Sequence, residues 1–370
     1  MKPIYLDFNA SAPAAPEVVE AMRPYLAGDF GNPSSLHWAA HGAREAIKTG
    51  RAQVARLLGC RPEEIVFTSG GSEANNLALK GLFFARAGRP SHLIVSKIEH
   101  PATIAPACFL ERLGARVTYV PVDGAGLVDP DEIRKAITRD TFLISIMHAN
   151  NEVGSIQPIA AISRIAREHG ILLHTDAAQS VGKISTNVGT LGVDLLSIAG
   201  HKVYAPKGVG ALYVRGGLEI EPLIHGAGHE GGRRAGTESA LLIAGLGKAC
   251  EIAQPWIGAP STQRLRDLFW EQLRMAFGDR VVLNGHPEHR LPNTLNVSFV
   301  GRVGADILAQ IPSVAASTGS ACHSGEIKLS PVLEAMGVAP EIGMGAIRFS
   351  LGRATTRDEI EDVVNLLKGL

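Results

Sequence analysis

The segments Ile171-Leu-Leu-His174-Thr-Asp176 and Leu195-Leu-Ser-Ile198-Ala-Gly-His201-Lys202 decide the fold of this chain. Each is a short apolar run that ends close to a charged residue. Runs of this length, rich in branched side chains, are typical of strands buried on both faces of a sheet. Because open α/β sheets bind ligands beyond the carboxyl ends of their strands, Asp176 and Lys202 are predicted to lie together at a binding site.

Similar apolar runs alternate with helical patterns from about residue 65 to residue 215. The predicted strands are 64–68, 93–96, 117–120, 142–147, 171–174, 195–198 and 211–214. This alternation predicts the α/β class, with a mainly parallel seven-stranded sheet in a large domain. After Cys250 the order of helices and strands favours a smaller α+β domain. We expect residues 15–250 to form the large domain, and residues 1–14 and 251–370 to form the small one.

Composition excludes several classes of protein. The 370 residues contain 36 Lys plus Arg and 36 Asp plus Glu, so no net field favours nucleic acid or an anionic membrane. We find no signal-peptide core and no apolar stretch long enough to span a bilayer, and we expect a cytoplasmic protein with no membrane partner and no direct binding of nucleic acid. Cys60, Cys108 and Cys250 lie outside any CxxC motif and are expected to be small buried hydrophobes.

The pair Asp176 and Lys202 is suited to pyridoxal 5'-phosphate (PLP). A lysine can form a Schiff base with the aldehyde, and a carboxylate can keep the pyridine nitrogen protonated so that the ring accepts electrons. Alone, Asp176 could be a turn residue and Lys202 a surface lysine, but their joint placement favours the cofactor. Gln179, one short turn past Asp176, could hydrogen-bond the phenolate oxygen.

The turn Thr68-Ser-Gly-Gly71-Ser72 follows a predicted strand and opens a predicted helix. Glycines let a backbone approach an anion, and a helix N-terminus offers free N–H groups and a positive dipole end. No Gly-Lys-Ser/Thr follows, so the turn is not a Walker loop. A plain capped helix start is the alternative, because serine is a favoured cap. Its position upstream of Asp176 and Lys202 favours a phosphate site that includes Gly71 and Ser72.

Three further residues are candidates for contacts with the cofactor or the substrate. His100 could stack on the pyridine face and relay protons near neutral pH, although a lone histidine is often structural. The amide of Asn151 could touch the ring or the substrate, and its alternative role is turn formation. Arg348 interrupts an apolar strand, which is costly unless the charge is paired. It predicts either a clamp for a substrate carboxylate or an internal salt bridge.

Cys322 is the candidate nucleophile. It lies in Ser317-Thr-Gly-Ser-Ala-Cys322-His-Ser-Gly325, whose small residues are typical of a loop that leaves a thiol accessible. An inert cysteine is the alternative. His225-Gly-Ala-Gly-His229 contains two histidines, but its glycines disfavour the helix that would align them on a metal, and no metal site is expected.

Motifs spread over nearly the whole chain carry a resemblance to a known family. They are Tyr5-Leu-Asp7, Gly31-Asn-Pro-Ser-Ser35, Phe67-Thr-Ser-Gly-Gly-Ser-Glu73, Glu99-His-Pro101, His148-Ala-Asn-Asn-Glu-Val-Gly154, His174-Thr-Asp-Ala-Ala-Gln179, Gly200-His-Lys202, Arg234-Ala-Gly-Thr237, Gly319-Ser-Ala-Cys322 and Arg348-Phe-Ser-Leu-Gly-Arg353. Together they resemble the cysteine desulfurases of the NifS/IscS type, which are fold-type I PLP enzymes of the class V aminotransferase group.

The resemblance implies a role for each matched residue. Lys202 matches the Schiff-base lysine, Asp176 the pyridinium partner and His100 the stacking group. Gln179 and Asn151 match further cofactor or substrate contacts. Ser72 and His201 match phosphate ligands, and Thr237 matches the residue that reaches the phosphate of a neighbouring subunit, which implies a homodimer. Arg348 matches the clamp for the substrate carboxylate and Cys322 the cysteine that carries a persulfide.

The implied reaction converts L-cysteine to L-alanine and leaves a persulfide on Cys322 for a sulfur-acceptor protein, such as an iron–sulfur cluster scaffold. Two departures bear on it. Ala199 stands where the family usually has a serine, and His323 follows the cysteine where a threonine is frequent. Because Cys-His-Ser is also reminiscent of selenocysteine lyases, such a lyase is an alternative. A class V aminotransferase and a non-enzymatic scaffold are the more distant ones.

Overall fold

The computed structural model describes residues 2–86, 88–318, 322–323 and 326–370, with residues 322–323 and 326–327 described by their backbone alone. The described strands are β1 (Ile4–Tyr5), β2 (Ile65–Thr68), β3 (His92–Ser96), β4 (Arg116–Val120), β5 (Thr141–Ser145), β6 (Leu172–Asp176), β7 (Leu195–Ala199), β8 (Gly210–Val214), β9 (Val281–Asn284), β10 (Thr294–Phe299), β11 (Val314–Ala315), β12 (Ser317–Thr318), β13 (Cys322–His323), β14 (Glu326–Ile327) and β15 (Ala346–Ser350).

Helices separate most of these strands. The described α-helices are α1 (Pro16–Met22), α2 (Pro24–Ala27), α3 (His41–Leu58), α4 (Gly71–Ala85), α5 (Pro101–Arg112), α6 (Pro130–Ala136), α7 (Ile159–Glu168), α8 (Val188–Leu191), α9 (Ala240–Ala253), α10 (Pro260–Phe277), α11 (Gly304–Gln310), α12 (Pro331–Ala335), α13 (Pro340–Gly343) and α14 (Arg357–Lys368). Short 3-10 helices cover Trp38–Ala40, Pro62–Glu64, Gly200–Lys202, His229–Gly232, Gln254–Trp256 and Gly278–Arg280.

The large sheet contains seven strands among the described residues, in the order β2-β8-β7-β6-β5-β3-β4. The pairs that join β7, β6, β5, β3 and β4 are parallel, whereas β8 runs antiparallel to both β7 and β2. Every residue of β3, β5, β7 and β8 is buried, because helices cover both faces of the sheet. The predicted α/β class and its mainly parallel seven-stranded sheet are confirmed.

Two hydrophobic layers flank the sheet. Helices α1, α3, α7 and α9 contribute to one of them, and α4 and α5 contribute to the other. Helix α7 shows why these segments are helical, since its buried residues Ile159, Ile162, Ile165 and Ala166 recur every three or four positions. The layers leave the carboxyl ends of β5, β6 and β7 at one edge, and the candidate site lies there.

A second sheet has the order β12-β15-β10-β9 and is antiparallel throughout. Its core includes Phe269 of α10 and Phe349 of β15, whose ring centroids lie 5.0 Å apart. Ile4 and Leu6 join this core, so the first residues pack against the small sheet. The predicted boundary after residue 250 falls inside α9, and the domain limits stay a prediction.

The backbone of Cys322 lies in a two-stranded hairpin, where Cys322 is opposite Ile327. The predicted role of Cys322 rests on its thiol, which lies outside the described part of the structure. Of the other cysteines, Cys250 is buried as expected, but the expectation for Cys108 was wrong. Cys108 is exposed on α5, with its sulfur 3.3 Å from the Tyr119 hydroxyl. No helix within the described residues is both long and apolar enough to cross a membrane.

Candidate active site

A cavity of about 410 Å³ opens where the large sheet meets the small one. A volume of a few hundred cubic ångströms is typical of small-molecule sites. Nine residues predicted from sequence line it, namely Gly71, Ser72, His100, Asn151, Asp176, Gln179, His201, Lys202 and Arg348. Thr237 is exposed at the surface and does not line the cavity of its own chain.

Asp176 ends β6 and is buried, with 7% of its surface exposed. One carboxylate oxygen accepts a hydrogen bond of 2.7 Å from the Asn75 side-chain amide, and the other accepts one of 2.8 Å from the Ala178 backbone N–H. Both donors are neutral, and no described residue forms a salt bridge with Asp176. The protein therefore holds the carboxylate in place but supplies no cation to pair with it among the described residues. A cationic group of a ligand could form that pair.

Lys202 ends the short 3-10 helix that follows β7. Its amino group is deeply buried, and no described residue hydrogen-bonds it. Burial holds the pKa of Lys202 below its ordinary value, while the nearby Asp176 carboxylate raises it and the Arg348 guanidinium lowers it further. The lowered pKa increases the fraction of the neutral amine, which is the form that can attack an aldehyde.

The predicted phosphate turn lies between β2 and the start of α4. A Cβ on Gly210 of β8 would lie 2.7 Å from the Cα of Gly70, so position 210 requires glycine for the strand to touch the turn. A Cβ on Gly71 would come within 3.1 Å of the Ala199 Cβ. The 15-residue helix α4 then directs its positive end at the cavity, where Ser72 lies at the rim.

Glu73 connects this turn to the loop that carries Thr237. Its carboxylate accepts a bond of 2.7 Å from the Ser69 N–H and forms a salt bridge of 2.9 Å with Arg234. Burial opposes ionisation of Glu73, but the Arg234 and Ser69 contacts outweigh it and lower the pKa of this carboxyl group. The ion pair thereby fixes the start of the segment Arg234-Ala-Gly-Thr237 against the phosphate turn.

His100 is the N-cap of α5 and is half-buried. Its Nδ1 accepts a hydrogen bond of 3.0 Å from the Ala102 N–H, so the neutral ring carries its proton on Nε2. Burial and the Lys202 charge lower the pKa of His100, while Asp176 raises it. The neutral imidazole can stack on a flat ring and can donate its Nε2 proton.

Gln179 is held at the inner wall of the cavity by two contacts. Its amide nitrogen donates to the Asn9 carbonyl oxygen at 2.9 Å, and its amide oxygen accepts from the Lys183 amino group at 3.1 Å. A backbone carbonyl only accepts hydrogen bonds, so the orientation of the amide is determined. One N–H of Gln179 remains for a partner in the cavity.

Arg348 reaches the cavity from β15, and its contacts bear on the two roles predicted for it, an internal salt bridge and a clamp for a substrate carboxylate. One of its terminal nitrogens forms a salt bridge of 2.8 Å with Asp7, and the other donates to the Asn151 carbonyl oxygen at 2.9 Å. The internal salt bridge is therefore present. The guanidinium still lines the cavity, so a substrate carboxylate can share this cation with Asp7. The buried Nε of Arg348 has no partner among the described residues.

Comparison with known proteins places this site in a family. The model of the class-V aminotransferases matches residues 4–363. The chain belongs to the class-V aminotransferase family.

Within this family the chain is similar to several characterised groups. It is 48% identical to the cysteine desulfurase IscS of Dictyoglomus turgidum over 369 residues, which cover 99% of this chain and 93% of that protein. A solved NifS-like protein superposes with a TM-score of 0.93 at 36% identity, covering 99% of this chain and 98% of that one. SspA in complex with cysteine gives a TM-score of 0.85 at 40% identity, covering 94% and 98%. The predicted resemblance to NifS/IscS-type proteins is confirmed.

The residues of this family member fit PLP. Asp176 offers a buried carboxylate without a protein cation, and Lys202 offers a buried amine without a hydrogen-bond partner among the described residues. The helix start at Gly71, with Ser72 and His201 beside it, suits a phosphate. Ala199 lines the same cavity and carries no hydroxyl, so the departure noted in the sequence leaves one fewer donor there. The donor set is that of an anionic ring aldehyde rather than a metal.

Four residues of this site escaped sequence analysis: Asp7, Asn9, Asn75 and Lys183. Asn75 was detectable, because it lies on the buried side of α4, four positions after Gly71, where an amide needs a partner. Asp7 lies in a quoted motif and was identified only as part of it. Asn9 and Lys183 had no local signal, because the side-chain partners of Asn9 lie 142 or more positions away and the one nearby partner of the Lys183 amino group among the described residues is Gln179.

Proposed function

We propose that this chain is a PLP-dependent cysteine desulfurase, which converts L-cysteine to L-alanine and carries the released sulfur on Cys322. The observation that carries the proposal is the placement of three charged groups around one cavity. Among the described residues, Asp176 has only neutral donors and Lys202 has no hydrogen-bond partner, and Arg348 lines the same cavity. The names of the relatives, cysteine desulfurase IscS among them, support the same activity.

Lys202 has two tasks in this proposal. When bound to it, PLP supplies an electron sink for the carbanion formed at the substrate Cα. The lowered pKa of Lys202 favours the neutral amine, which would hold the cofactor as a nucleophile and would serve as a base for the Cα proton. Asp176 keeps the ring nitrogen positively charged, and the Asn75 and Ala178 hydrogen bonds hold its two oxygens in place.

Arg348 and His100 orient the substrate from opposite sides of the cavity. Arg348 would bind the substrate carboxylate, which shares the guanidinium with Asp7. His100 keeps its Nδ1 bonded to the Ala102 N–H and presents Nε2–H to the cavity. A proton held at that atom can be delivered to a leaving or developing anion.

Cys322 would take the sulfur. Its thiolate forms a bond to the sulfur of L-cysteine while the Cβ–S bond breaks, and the carbon keeps the electron pair and takes up a proton. Alanine leaves, and Cys322 retains a persulfide whose outer sulfur passes to an acceptor protein, for which an iron–sulfur cluster scaffold is a candidate. No added oxidant is needed, because Cβ keeps the electron pair of the broken Cβ–S bond while the sulfur is transferred to Cys322.

The test is alanine and sulfide release from L-cysteine by the purified protein loaded with PLP. We expect equimolar products in the presence of a thiol, a loss of at least 100-fold in Cys322→Ala and no loss in the matched control Cys108→Ala, whose thiol lies on the surface of α5. Full turnover in Cys322→Ala would contradict the proposal and favour an aminotransferase. Release from L-selenocysteine alone would favour a selenocysteine lyase.

A homodimer is part of the proposal. Phe30, Leu36 and Trp38 lie close together in the chain, and 77%, 95% and 80% of their surfaces are exposed. Exposed apolar side chains in one segment are typical of a protein interface. Thr237 is also exposed and would contact the phosphate of the other subunit. Light scattering on the purified protein should give twice the mass of 39.1 kDa.

A further inference from the structure

Lys183 is a buried lysine that the proposed chemistry leaves unexplained. Part of its stem reaches the surface, but its amino group is buried. Burial, followed by the charges of Lys202 and Arg348, holds the pKa of Lys183 well below its ordinary value. No described carboxylate pairs with it. Burying an amino group close to two other cations costs free energy. The hydrogen bonds that Lys183 makes must offset this cost.

The contacts of Lys183 are with two amides. Its amino group donates to the Asn9 side-chain oxygen at 3.0 Å and to the Gln179 side-chain oxygen at 3.1 Å. Asn9 is 1% exposed, and its side-chain nitrogen donates in turn to Thr294 at 2.8 Å and to the Asn151 carbonyl at 3.3 Å. The network thus joins the loop after β6 to the small sheet.

These contacts determine which atoms of the Gln179 amide are directed at the cavity. With its oxygen turned toward Lys183 and one N–H held by the Asn9 carbonyl, the amide keeps its second N–H for a ligand. We propose that Lys183 is a positioning residue that presents the Gln179 N–H to the phenolate oxygen of bound PLP. This inference rests on the proposed function, because it assumes that cofactor.

The proposal has a consequence for the spectrum of the bound cofactor. An N–H donated to the phenolate stabilises its negative charge and weakens its attraction for the proton of the Lys202–cofactor Schiff base. Loss of that donor should raise the pKa of the Schiff base. The other titratable groups that face Lys202 are Asp176, His100, His201 and Arg348, and all of them are retained in the variants described next.

The experiment is a pH titration of the visible absorption of the PLP-loaded protein. Lys183→Met keeps the length of the side chain and removes the amino group that bonds the Gln179 oxygen. We expect the midpoint of the Schiff-base titration to rise by about 1 pH unit. Gln179→Leu should raise it by a similar amount. The double variant should show no further rise, because both changes remove the same hydrogen bond. Lys135→Met, on the exposed face of α6, is the matched control and should leave the midpoint unchanged.

Three results would overturn the inference. An unchanged midpoint in Lys183→Met with cofactor bound would show that Gln179 needs no such support. Additive shifts in the double variant would show that Lys183 acts through its own charge. If Lys183→Met does not fold, Lys183→Arg, which keeps a donor, is compared with Lys183→Leu, which has none, and equal midpoints in the two would count against the proposal. A native protein without a visible Schiff-base band would instead refute the cofactor assignment.

Discussion

Two carboxylates near the cavity are held in opposite ways: Asp176 lines it, and Asp7 pairs with Arg348, which lines it. Asp176, at the end of β6, accepts bonds of 2.7 and 2.8 Å from neutral amides. Asp7, beside the small sheet, accepts 2.8 Å bonds from the Arg348 guanidinium and the Ser317 hydroxyl. The charge of Asp176 is therefore available to a ligand cation, whereas that of Asp7 is already paired. A ligand meets an open anion on one side and a partly neutralised cation on the other.

The largest expected effect is that of Asp176→Asn. The neutral side chain cannot hold a cationic ring nitrogen, so we expect alanine formation to fall by at least 100-fold and cofactor to dissociate more readily. The measurement is the rate of alanine release together with the retained visible absorption after dialysis. Asp129→Asn is the control, since asparagine caps the start of α6 as well as aspartate does. A near-native rate in Asp176→Asn would refute the role of the open anion.

Asp7→Asn tests the paired side of the comparison. Arg348 would lose its internal carboxylate, so the free energy of unfolding should fall by about 1–3 kcal/mol. The KM for L-cysteine should fall several-fold, because the substrate carboxylate no longer shares the guanidinium. Urea unfolding and steady-state kinetics measure the two effects. Glu361→Gln, which breaks the exposed pair with Arg357, should change neither by more than about 0.5 kcal/mol. A higher KM in Asp7→Asn would show that Asp7 orients Arg348.

Asn75→Ala tests the neutral side-chain donor of Asp176. Asp176 would keep the Ala178 N–H and lose the side-chain amide, which costs about 1–3 kcal/mol for a buried acceptor. We expect roughly a tenfold fall in kcat/KM and a smaller change in KM. Asn76→Ala, one position along α4, is the control because its amide bonds only the Ser72 carbonyl among the described residues. Equal losses in both variants would assign the effect to the helix and not to Asp176.

Glu99→Gln tests a third carboxyl group, with an effect on stability alone. Burial raises the pKa of Glu99 to about 8, with a further contribution from Asp176. Because the folded pKa exceeds the unfolded one, the stabilising contribution is complete below the ordinary pKa of 4.5 and is lost as pH rises toward 8. Glutamine does not titrate. The variant should therefore gain on the order of 1 kcal/mol or more over the native protein between pH 5 and 8.

Chemical unfolding at several pH values measures this difference. Glu288→Gln, at an exposed position, is the control and should follow the native curve. A difference between Glu99→Gln and the native protein that stays constant with pH would show that Glu99 is ionised in the folded protein.

Sequence alone predicted the seven strands of the large sheet, because most of them are buried along their length and form continuous apolar runs, and only β4 is mainly half-buried. It also predicted the meeting of Asp176 with Lys202, because ends of parallel strands share an edge. It could not choose between a clamp and a salt bridge for Arg348, since the partner Asp7 lies 341 positions away. Lys183 gave no signal either. Whether a lysine is solvated or buried depends on long-range packing, which local pattern does not encode.

The pairing of β2 has a consequence for synthesis on the ribosome. In the described structure β2 (Ile65–Thr68) is an edge strand whose one sheet neighbour is β8 (Gly210–Val214). The turn after β2 is encoded early in the chain, yet its contact with Gly210 waits until residue 214 has left the exit tunnel. Nascent chains that end before β8 should therefore lack the finished turn, so under the proposed function the cofactor would be loaded late in synthesis.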